Sequence, residues 1–474
     1  MATQKIQGDF EAQYKILRDY CEELLRVDLE STVKVAVEQE FNPTSETRQF
    51  KRIYICLGAL KRGFKAGIRD LLGVDGCFLK GRFPGQILTA VAPDGNSGIY
   101  PVAYALVAAE NKDSWTWFFQ MLGEDLGLTA SSNFTFISDR QKGLIHAIAQ
   151  VFPATEHRHC LRHIHDNMKA TWRGDLYKNL LDGVASASTT QAYEKAMQKV
   201  LTESKDLHDW MLKNEPKHWC RAFFSGRAKC DMILNNHCEV FNKQLLNGRD
   251  KPIITCLEQI REYLMKRIVI FHRMIASSKG PLTPNATTKF EEIKRDAVDC
   301  TVIWCGPSRY QVSGPHIIEQ RIVNMEERTC SCRRCDLTAM PCRHAVACIW
   351  NMRMNGRGDG LPERYIDRCY WVDTWTAVYM NTIEPINGRD MWPVSRCPTT
   401  LVAPKYHKQA RRPKKKRKKS AVELEELKKN VEIGPKLPRK ANSLSCGLCG
   451  VKGHNRRRCK NGGATGGDGS VEGA

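Results

Sequence analysis

The sequence lacks any apolar run that could cross a bilayer, and its first residues lack the apolar segment of a secretory signal. A membrane helix needs about 18–20 consecutive apolar residues, and the most apolar stretch, Ile99–Ala109, is shorter. The N-terminal stretch MATQKIQGDFEAQYK has no apolar core. We therefore expect no membrane partner, and we expect the 20 cysteines to be mostly reduced core residues or metal ligands rather than a secreted disulfide framework.

Signatures of several enzyme classes are also absent. The chain contains no Walker A sequence, no H-E-x-x-H and no G-x-S-x-G, so nucleotide hydrolysis, zincin proteolysis and esterase chemistry have no support. No short-period repeat is present. With 474 residues, 42% apolar and 26% charged, the composition is that of a globular protein of about three domains.

Acidic residues are scarce relative to basic ones. The chain has 73 Lys and Arg against 52 Asp and Glu, a formal charge of +21, which indicates a polyanionic partner such as DNA. Much of the surplus lies in a basic linker at 401–440, with its peak at Arg411–Lys419. The run fits a nuclear-import signal with nucleic-acid contacts, and the alternative is a solubilising linker. The contact candidates are Arg412, Lys414, Lys415, Lys416 and Arg417.

Alternating and apolar runs predict an α/β (α+β) core. Three runs separated by Gly- and Pro-containing turns predict an antiparallel meander; they are Leu71–Leu79, Gln86–Ala92 and Ile99–Ala108. A helix follows the meander, with Asp113 as its cap and Leu126 near its end. After it the pattern predicts, in order, a strand at Phe134–Ser138, a helix at 142–151, a strand at Thr155–Cys160 and another helix. This order is typical of an RNase H-like fold.

Two acids occupy positions in this pattern that need explanation. Asp75 lies within an apolar strand and Asp139 ends another. In the proposed fold these strands are neighbours, and a Mg²⁺ or Mn²⁺ ion would offset both desolvation and repulsion. Glu239 is the choice for a third acid, with Glu110 and Asp113 as competitors. The alternative is that Asp75 belongs to a turn and Asp139 caps a helix.

A family resemblance adds to this interpretation. The stretches VDGCFLKGRFPGQILTAVAPDGNSGIYPVAYALVAAENKDSWTWFF, FISDRQKGL, HRHCLRHIHDNMK and NNHCEVFN strongly resemble the catalytic region of plant Mutator-like (MULE/MuDR) transposases. The resemblance implies an RNase H-like DDE core at 70–270, interrupted by a helical insertion at about 161–235. It places the catalytic triad on Asp75, Asp139 and Glu239, and implies nicking and transfer of DNA strands by a protein that forms a homo-oligomer on DNA.

The family also carries a Cys-x-x-His pair after the second Asp. It falls on Cys160 and His163, for which a metal or DNA contact competes with a structural role at the edge of the core.

Two further Cys/His clusters have the spacing of structural zinc sites. The C-x-C-x9-C-x-H pattern resembles a SWIM zinc finger, predicted at 321–353; its ligands are Cys330, Cys332, Cys342 and His344. Cys335 lies inside the loop and is interpreted as a bystander. The CX2CX4HX4C pattern at 444–461 matches a zinc knuckle, a module that typically binds single-stranded nucleic acid. Its ligands are Cys446, Cys449, His454 and Cys459, with phosphate contacts from Lys452, Arg456, Arg457 and Arg458. No aromatic stacking residue flanks the ligands, so a protein contact is the alternative.

The remaining ranges complete the predicted organisation. An N-terminal helical and strand region at 1–69 precedes the core, a helical connector spans 271–320, a segment at 354–400 follows the SWIM finger, and a disordered tail occupies 462–474. The expected protein is a nuclear Mutator-like transposase with two Zn²⁺ sites. The alternatives are a domesticated DNA-binding regulator of the far-red-impaired-response type and an RNA-binding protein led by the knuckle.

Overall fold

The computed structural model describes residues 10–39, 42, 44–314 and 319–405. A mixed eight-stranded sheet lies at its centre. Seven of its strands follow the order β1-β2-β5-β4-β3-β6-β7, and the eighth pairs with β2 at the side. These strands are Thr32–Val37 (β1), Thr47–Cys56 (β2), Leu71–Phe78 (β3), Gln86–Pro93 (β4), Ile99–Val107 (β5), Thr135–Ser138 (β6) and Glu156–His159 (β7). All five strands expected at 71–160 are present.

The pairing directions divide this sheet into two parts. β3, β4 and β5 form the predicted antiparallel meander, whereas β6 runs parallel to β3 and β7 runs parallel to β6. Every residue of β4 is buried, which accounts for its almost continuous apolar sequence.

Helices surround the two sheets of the described chain, and the ones that begin and end within the described residues have up to 24 residues. They are Leu17–Val27 (α1), Gly58–Gly67 (α2), Lys112–Leu126 (α3), Lys142–Val151 (α4), Leu161–Met168 (α5), Asp175–Ser186 (α6), Thr190–Glu203 (α7), Lys205–Lys213 (α8), Asn236–Gln244 (α9), Ile253–Ala276 (α10), Pro284–Ala297 (α11), Arg334–Thr338 (α12), Arg343–Met354 (α13) and Val372–Tyr379 (α14). None of these described helices has the length and hydropathy of a bilayer span.

Helices cover both faces of the main sheet. Tyr54 of β2 donates its hydroxyl hydrogen to Asp125 of α3 at 2.7 Å. Tyr54 pairs with Ala105 of β5, so the next residue, Tyr104, points to the opposite face. There Tyr104 lies near Glu258 of α10. The sheet is therefore buried between α3 on one face and α10 on the other.

The predicted helical insertion has a hydrophobic core of its own. Helices α5 to α8 enclose apolar side chains that include Leu181, Val184 and Met211. After Lys213 the regular helices end, and residues 214–235 contain two short 3-10 turns, Pro216–His218 and Arg221–Phe223. The segment then returns to the main sheet at α9.

The sequence predicted an N-terminal region that precedes the core, but in the structure this region is part of the core. β1 and β2 belong to the main sheet, because β2 pairs antiparallel with β5, with Arg52 opposite Val107. β2 pairs with the otherwise open edge of β5, and its apolar run Ile53–Cys56 is buried there.

The helical connector predicted at 271–320 is wrong in its second half. Helix α11 ends at Ala297, and the chain then forms a four-stranded antiparallel sheet with strands Thr301–Trp304 (β8), Arg309–Ser313 (β9), Gln320–Asn324 (β10) and Thr329–Cys330 (β11). Tyr310 and Val312 alternate into the core of this small domain, which is the burial that selects strand over helix.

The segment after the zinc finger packs back on the main sheet. Trp375 and Tyr379 of α14 donate hydrogen bonds to one carboxylate oxygen of Asp94, at 3.1 and 2.8 Å. A last strand, Thr400–Val402 (β12), pairs in parallel with β2. The predicted knuckle and tail, and the basic linker beyond Lys405, lie outside the described residues.

Candidate functional site

The register between β3 and β6 brings the two predicted aspartates together. Leu71 pairs with Thr135 and Gly73 with Ile137. Continuing this parallel register by two residues sets Asp75 beside Asp139, on the same face because side chains alternate along a strand. Asp75 lies within β3 opposite Thr89 of β4, so it is not a turn residue.

Asp75 is held in place by specific donors. Asn242 of α9 donates from Nδ2 to Oδ2 of Asp75 at 2.7 Å, and the backbone N–H of Gly76 donates to Oδ1 at 2.9 Å. Burial, followed by the charges of Asp139 and Glu110, raises the pKa of Asp75 to about 7. The carboxyl group is therefore both buried and close to like charge.

Asp139 accepts a hydrogen bond from the backbone N–H of Gln141 at 3.0 Å. The cap of helix α4 is Gln141, whose side chain accepts the N–H of Leu144. Asp139 is therefore not the helix cap, and its carboxylate remains beside Asp75.

Glu110 is the third acid near this pair. Its Oε1 accepts a hydrogen bond from Nε1 of Trp115 at 3.2 Å. A Cβ atom on Gly76 would lie only 2.8 Å from its Cδ, so the missing side chain at Gly76 gives Glu110 its place. Burial and then the charge of Asp139 raise the pKa of Glu110.

Asp113, the other competitor for third acid, lies elsewhere. Its carboxylate is paired with Arg52 at 2.8 Å and with Lys51 at 3.5 Å. It does not cap helix α3, as the sequence predicted, because the side chain of Asn111 accepts the N–H of Ser114 instead. Asn at this position can make the same hydrogen bond as Asp.

Glu239 lies with the Cys-x-x-His pair. One ligand atom each of Cys160, His163 and Glu239 falls within 4.8 Å of the others. Glu239 also forms an ion pair with Arg162. His163 is close enough to the aspartates to feel their charges. Contact with the Cys160 sulfur and then the charges of Asp139 and Asp75 raise the pKa of His163 to about 9, against the effect of burial.

The other histidines of this stretch have structural contacts. Nε2 of His157 lies 2.8 Å from Oγ of Ser138, and the rings of His159 and His218 stack at 4.6 Å between centroids. Burial lowers the pKa of both His157 and His159. These rings are therefore neutral packing groups at physiological pH.

The SWIM ligands form a closed cluster. Nδ1 of His344 lies 3.6 Å from the sulfur atoms of both Cys330 and Cys342, and the fourth member is Cys332. A tetrahedral ion with Zn–S of about 2.3 Å and Zn–N of about 2.0 Å separates S and N by roughly 3.5 Å. The four side chains can thus hold Zn²⁺ with little rearrangement.

Neighbouring groups orient this cluster. Cys342 is the residue before helix α13, where the helix dipole favours a thiolate. Nε2 of His344 faces a carboxylate oxygen of Glu319 at 3.6 Å, a partner that fixes the tautomer of a metal-bound histidine. Cys335 accepts the N–H of Cys342 at 3.2 Å, which agrees with its interpretation as a bystander.

Sequence reasoning did not find several of these partners. Asn242 and Glu319 contact the candidate ligands through loops and helices that are distant in the chain. Gly76 carried one signal, because a glycine directly after a buried acid suggests a close approach by another group.

The described chain thus combines a mixed α/β sheet that carries neighbouring acids with a separate cysteine–histidine cluster in a small domain. Comparison with known families is specific: the MULE transposase domain matches residues 71–167 and the SWIM zinc finger matches residues 312–350. The predicted resemblance to the plant Mutator-like family is thereby confirmed over these two segments.

A curated relative has a similar stretch. Protein FAR1-RELATED SEQUENCE 6 from Arabidopsis thaliana is 26% identical over 163 residues, which is 34% of this chain and 22% of the relative. The similarity thus spans about a fifth of the length of the relative.

The acidic cluster predicts a pH dependence in Mg²⁺-free buffer. The folded pKa of Asp75 is about 7 against an ordinary value of 3.8, so the folded state keeps a proton that the unfolded state releases between these values. Stability should fall as pH rises through that window, by up to about 4 kcal/mol. Urea unfolding of wild type and Asp75→Asn with zinc retained would measure it; equal pH slopes would contradict the prediction.

Proposed function

We propose that the protein cleaves and transfers DNA strands in a reaction that depends on Mg²⁺ or Mn²⁺ and on Asp75 and Asp139. The observation that carries the proposal is the register of β3 and β6, which sets two acids from distant parts of the chain side by side. The raised pKa of Asp75 supports it, because burying adjacent carboxylates is unfavourable unless a cation joins them.

The strand order supports an RNase H-like interpretation of the core. β5, β4 and β3 are antiparallel neighbours, and β6 and β7 continue the sheet in parallel to β3. The acids lie where β3 and β6 adjoin, the position that the Mutator-like resemblance gives to the first two catalytic residues.

The donor set fits a hard divalent cation. Carboxylate oxygens of Asp75, Asp139 and Glu110 are the ligands that Mg²⁺ and Mn²⁺ prefer. Such an ion lowers the pKa of an attacking water or 3′-hydroxyl and neutralises charge on the leaving oxygen of a phosphodiester. Asn242 and the N–H of Gly76 hold the Asp75 carboxylate in one orientation, and Gln141 does the same for Asp139.

The identity of the third acid separates two versions of this site. The family resemblance gives the role of third acid to Glu239. The structure favours Glu110 for this role, because the charge of Glu110 acts on Asp75 directly. We propose Glu110 as the third acid in the described conformation, with Glu239 held by Arg162, Cys160 and His163.

Glu110→Gln is expected to weaken Mg²⁺ binding by about tenfold or more, since it removes one charged oxygen ligand. Gly76→Ala should have a similar effect without touching an acid, because the new Cβ would displace the flexible end of Glu110. Isothermal titration with Mg²⁺ measures both. If the Mg²⁺ affinity is unchanged in Glu110→Gln and Gly76→Ala but is lost in Glu239→Gln, the third acid is Glu239.

DNA is the proposed partner, and the nucleus the proposed location. The transposase and SWIM domains suggest DNA binding, and the charge of +21 favours a polyanion. Single-stranded contacts through the knuckle and a homo-oligomer on DNA remain parts of the same proposal.

The second candidate is a domesticated DNA-binding regulator without catalysis. The match to a FAR1-related protein and the ion pair that holds Glu239 favour it. A plasmid-nicking assay with Mg²⁺ or Mn²⁺, on DNA with and without transposon ends, tests the choice. Cation-dependent nicking supports the transposase, whereas binding without nicking supports the regulator.

A further inference from the structure

We infer that Cys160, His163 and Glu239 form a third zinc site next to the acid pair. Their ligand atoms lie within 4.8 Å of one another. A small inward rotation of the side chains would bring them to the spacing of roughly 3.3–3.8 Å found around Zn²⁺. The set of one thiolate, one imidazole and one carboxylate suits Zn²⁺, whereas Mg²⁺ selects oxygen ligands.

The backbone fixes two of these ligands on one helix. Cys160 is the residue before α5, and His163 lies three positions further on, so the two side chains share a face of the first turn. Cys160 is fully buried, and its sulfur accepts the backbone N–H of Asn235 at 3.2 Å. This donor is of the kind that stabilises a thiolate ligand.

The third ligand comes from α9, and the chain at the start of this helix is tied to both α5 and β3. The N–H of Leu161 donates to the carbonyl of Ile233 at 2.8 Å, directly before the segment that begins α9. Nδ2 of Asn235 donates to the carbonyl of Val74 at 3.0 Å. Glu239, one turn after Asn235, is therefore presented to Cys160 and His163 by a rigid framework.

The histidine carries an independent sign of a missing partner. Its ring lies against the Cys160 sulfur, yet its buried Nδ1 makes no well-formed hydrogen bond with any described residue. Buried polar atoms are almost always paired, and an ion bound through Nδ1 of this ring would satisfy the nitrogen.

Three protein ligands leave the fourth position of the ion open, as in zinc sites that bind a water molecule. Zinc would also hold Glu239 away from Asp75 and Asp139, which agrees with Glu110 as their third acid. The zinc assignment does not rest on the proposed function, because zinc content is measured without DNA.

The test is the zinc content of the full chain after dialysis into buffered trace Zn²⁺. His163→Gln and Glu239→Gln should each lose about one zinc per chain relative to wild type, because each leaves only two ligands. The matched controls are His165→Gln, on the same helix outside the cluster, and Arg162→Gln, which removes the competing cation. Both controls should keep the wild-type zinc content.

The absorption spectrum of the Co²⁺-substituted chain is a second test, which reports on the thiolate ligand directly. In the Co²⁺-substituted chain, Cys160→Ser should weaken the thiolate-to-cobalt absorption relative to wild type, whereas Cys238→Ser, a buried neighbour outside the cluster, should not. Equal zinc content in wild type, His163→Gln and Glu239→Gln, with all three folded by circular dichroism, would overturn the assignment. Cobalt absorption unchanged by Cys160→Ser would overturn it equally.

Discussion

Asp75→Asn and Asp139→Asn are each expected to lose at least about a hundredfold of the Mg²⁺-dependent nicking rate. The two acids meet at the junction of β3 and β6, and an amide in either place removes a charged ligand while keeping the side-chain shape. In the first variant the amide oxygen can accept only one of the two hydrogen bonds that the carboxylate of Asp75 accepts, so the stability of the variant is measured beside its nicking rate.

The matched control is Asp113→Asn. Asp113 is an acid close in sequence to Glu110, but its carboxylate is exposed and paired with Arg52 and Lys51. We expect it to keep its nicking rate within about twofold, because exposed ion pairs contribute little. Nicking by Asp75→Asn at the wild-type rate would remove Asp75 from the site.

The stability of Asp75→Asn shows whether a loss of nicking comes from unfolding. Asp75→Asn should be more stable than wild type at pH 7 without Mg²⁺, since the amide removes the buried charge and its repulsion by Asp139 and Glu110, which together raise the pKa of Asp75. Mg²⁺ should then stabilise wild type and leave this variant unchanged. A variant that is inactive and also more stable cannot owe its inactivity to unfolding.

The strands of the core could be predicted because their signals are local. β3, β4 and β5 are apolar or alternating runs between glycine- and proline-containing turns, and the structure ends each within a residue of the expected position. The meeting of Asp75 and Asp139 followed from assuming that their strands adjoin. Assignment of their chemistry stays a prediction.

Features that depend on distant partners could not be predicted. The strands of the N-terminal region join the sheet only because β5 has an open edge, and β8 and β9 are short strands that a small zinc-finger core selects. Similarly, the sequence gives no sign that Glu239 faces Cys160, His163 and Arg162. Its position depends on how α9 is anchored to β3 by Asn235 and Asn242.

Loss of a SWIM ligand is expected to unfold the small domain. The core around the four ligands is small, so metal binding supplies most of its folding free energy, about 10–16 kcal/mol in zinc-finger peptides. We expect Cys342→Ser to lose one zinc per chain and to open residues 300–354 to proteolysis. Cys335→Ser is the matched control, because Cys335 lies outside the ligand set and a serine can still accept the Cys342 N–H.

Loss of the zinc ligand should also destabilise the part of the helical insertion that contacts the ligand loop. Arg333, between two ligands, donates to the carbonyl of Phe224 at 2.6 Å and to that of Ser188 at 3.3 Å. Oγ of Ser188 in turn donates to the carbonyl of Cys332 at 2.9 Å. When the ligand loop opens, these contacts are lost, so hydrogen exchange should rise at 184–190 and 220–226 in Cys342→Ser and stay at the wild-type level in Cys335→Ser. Exchange confined to 300–354 would show that the zinc finger folds independently of the insertion, and an unchanged pattern in both variants would contradict the assignment of Cys342 as a ligand.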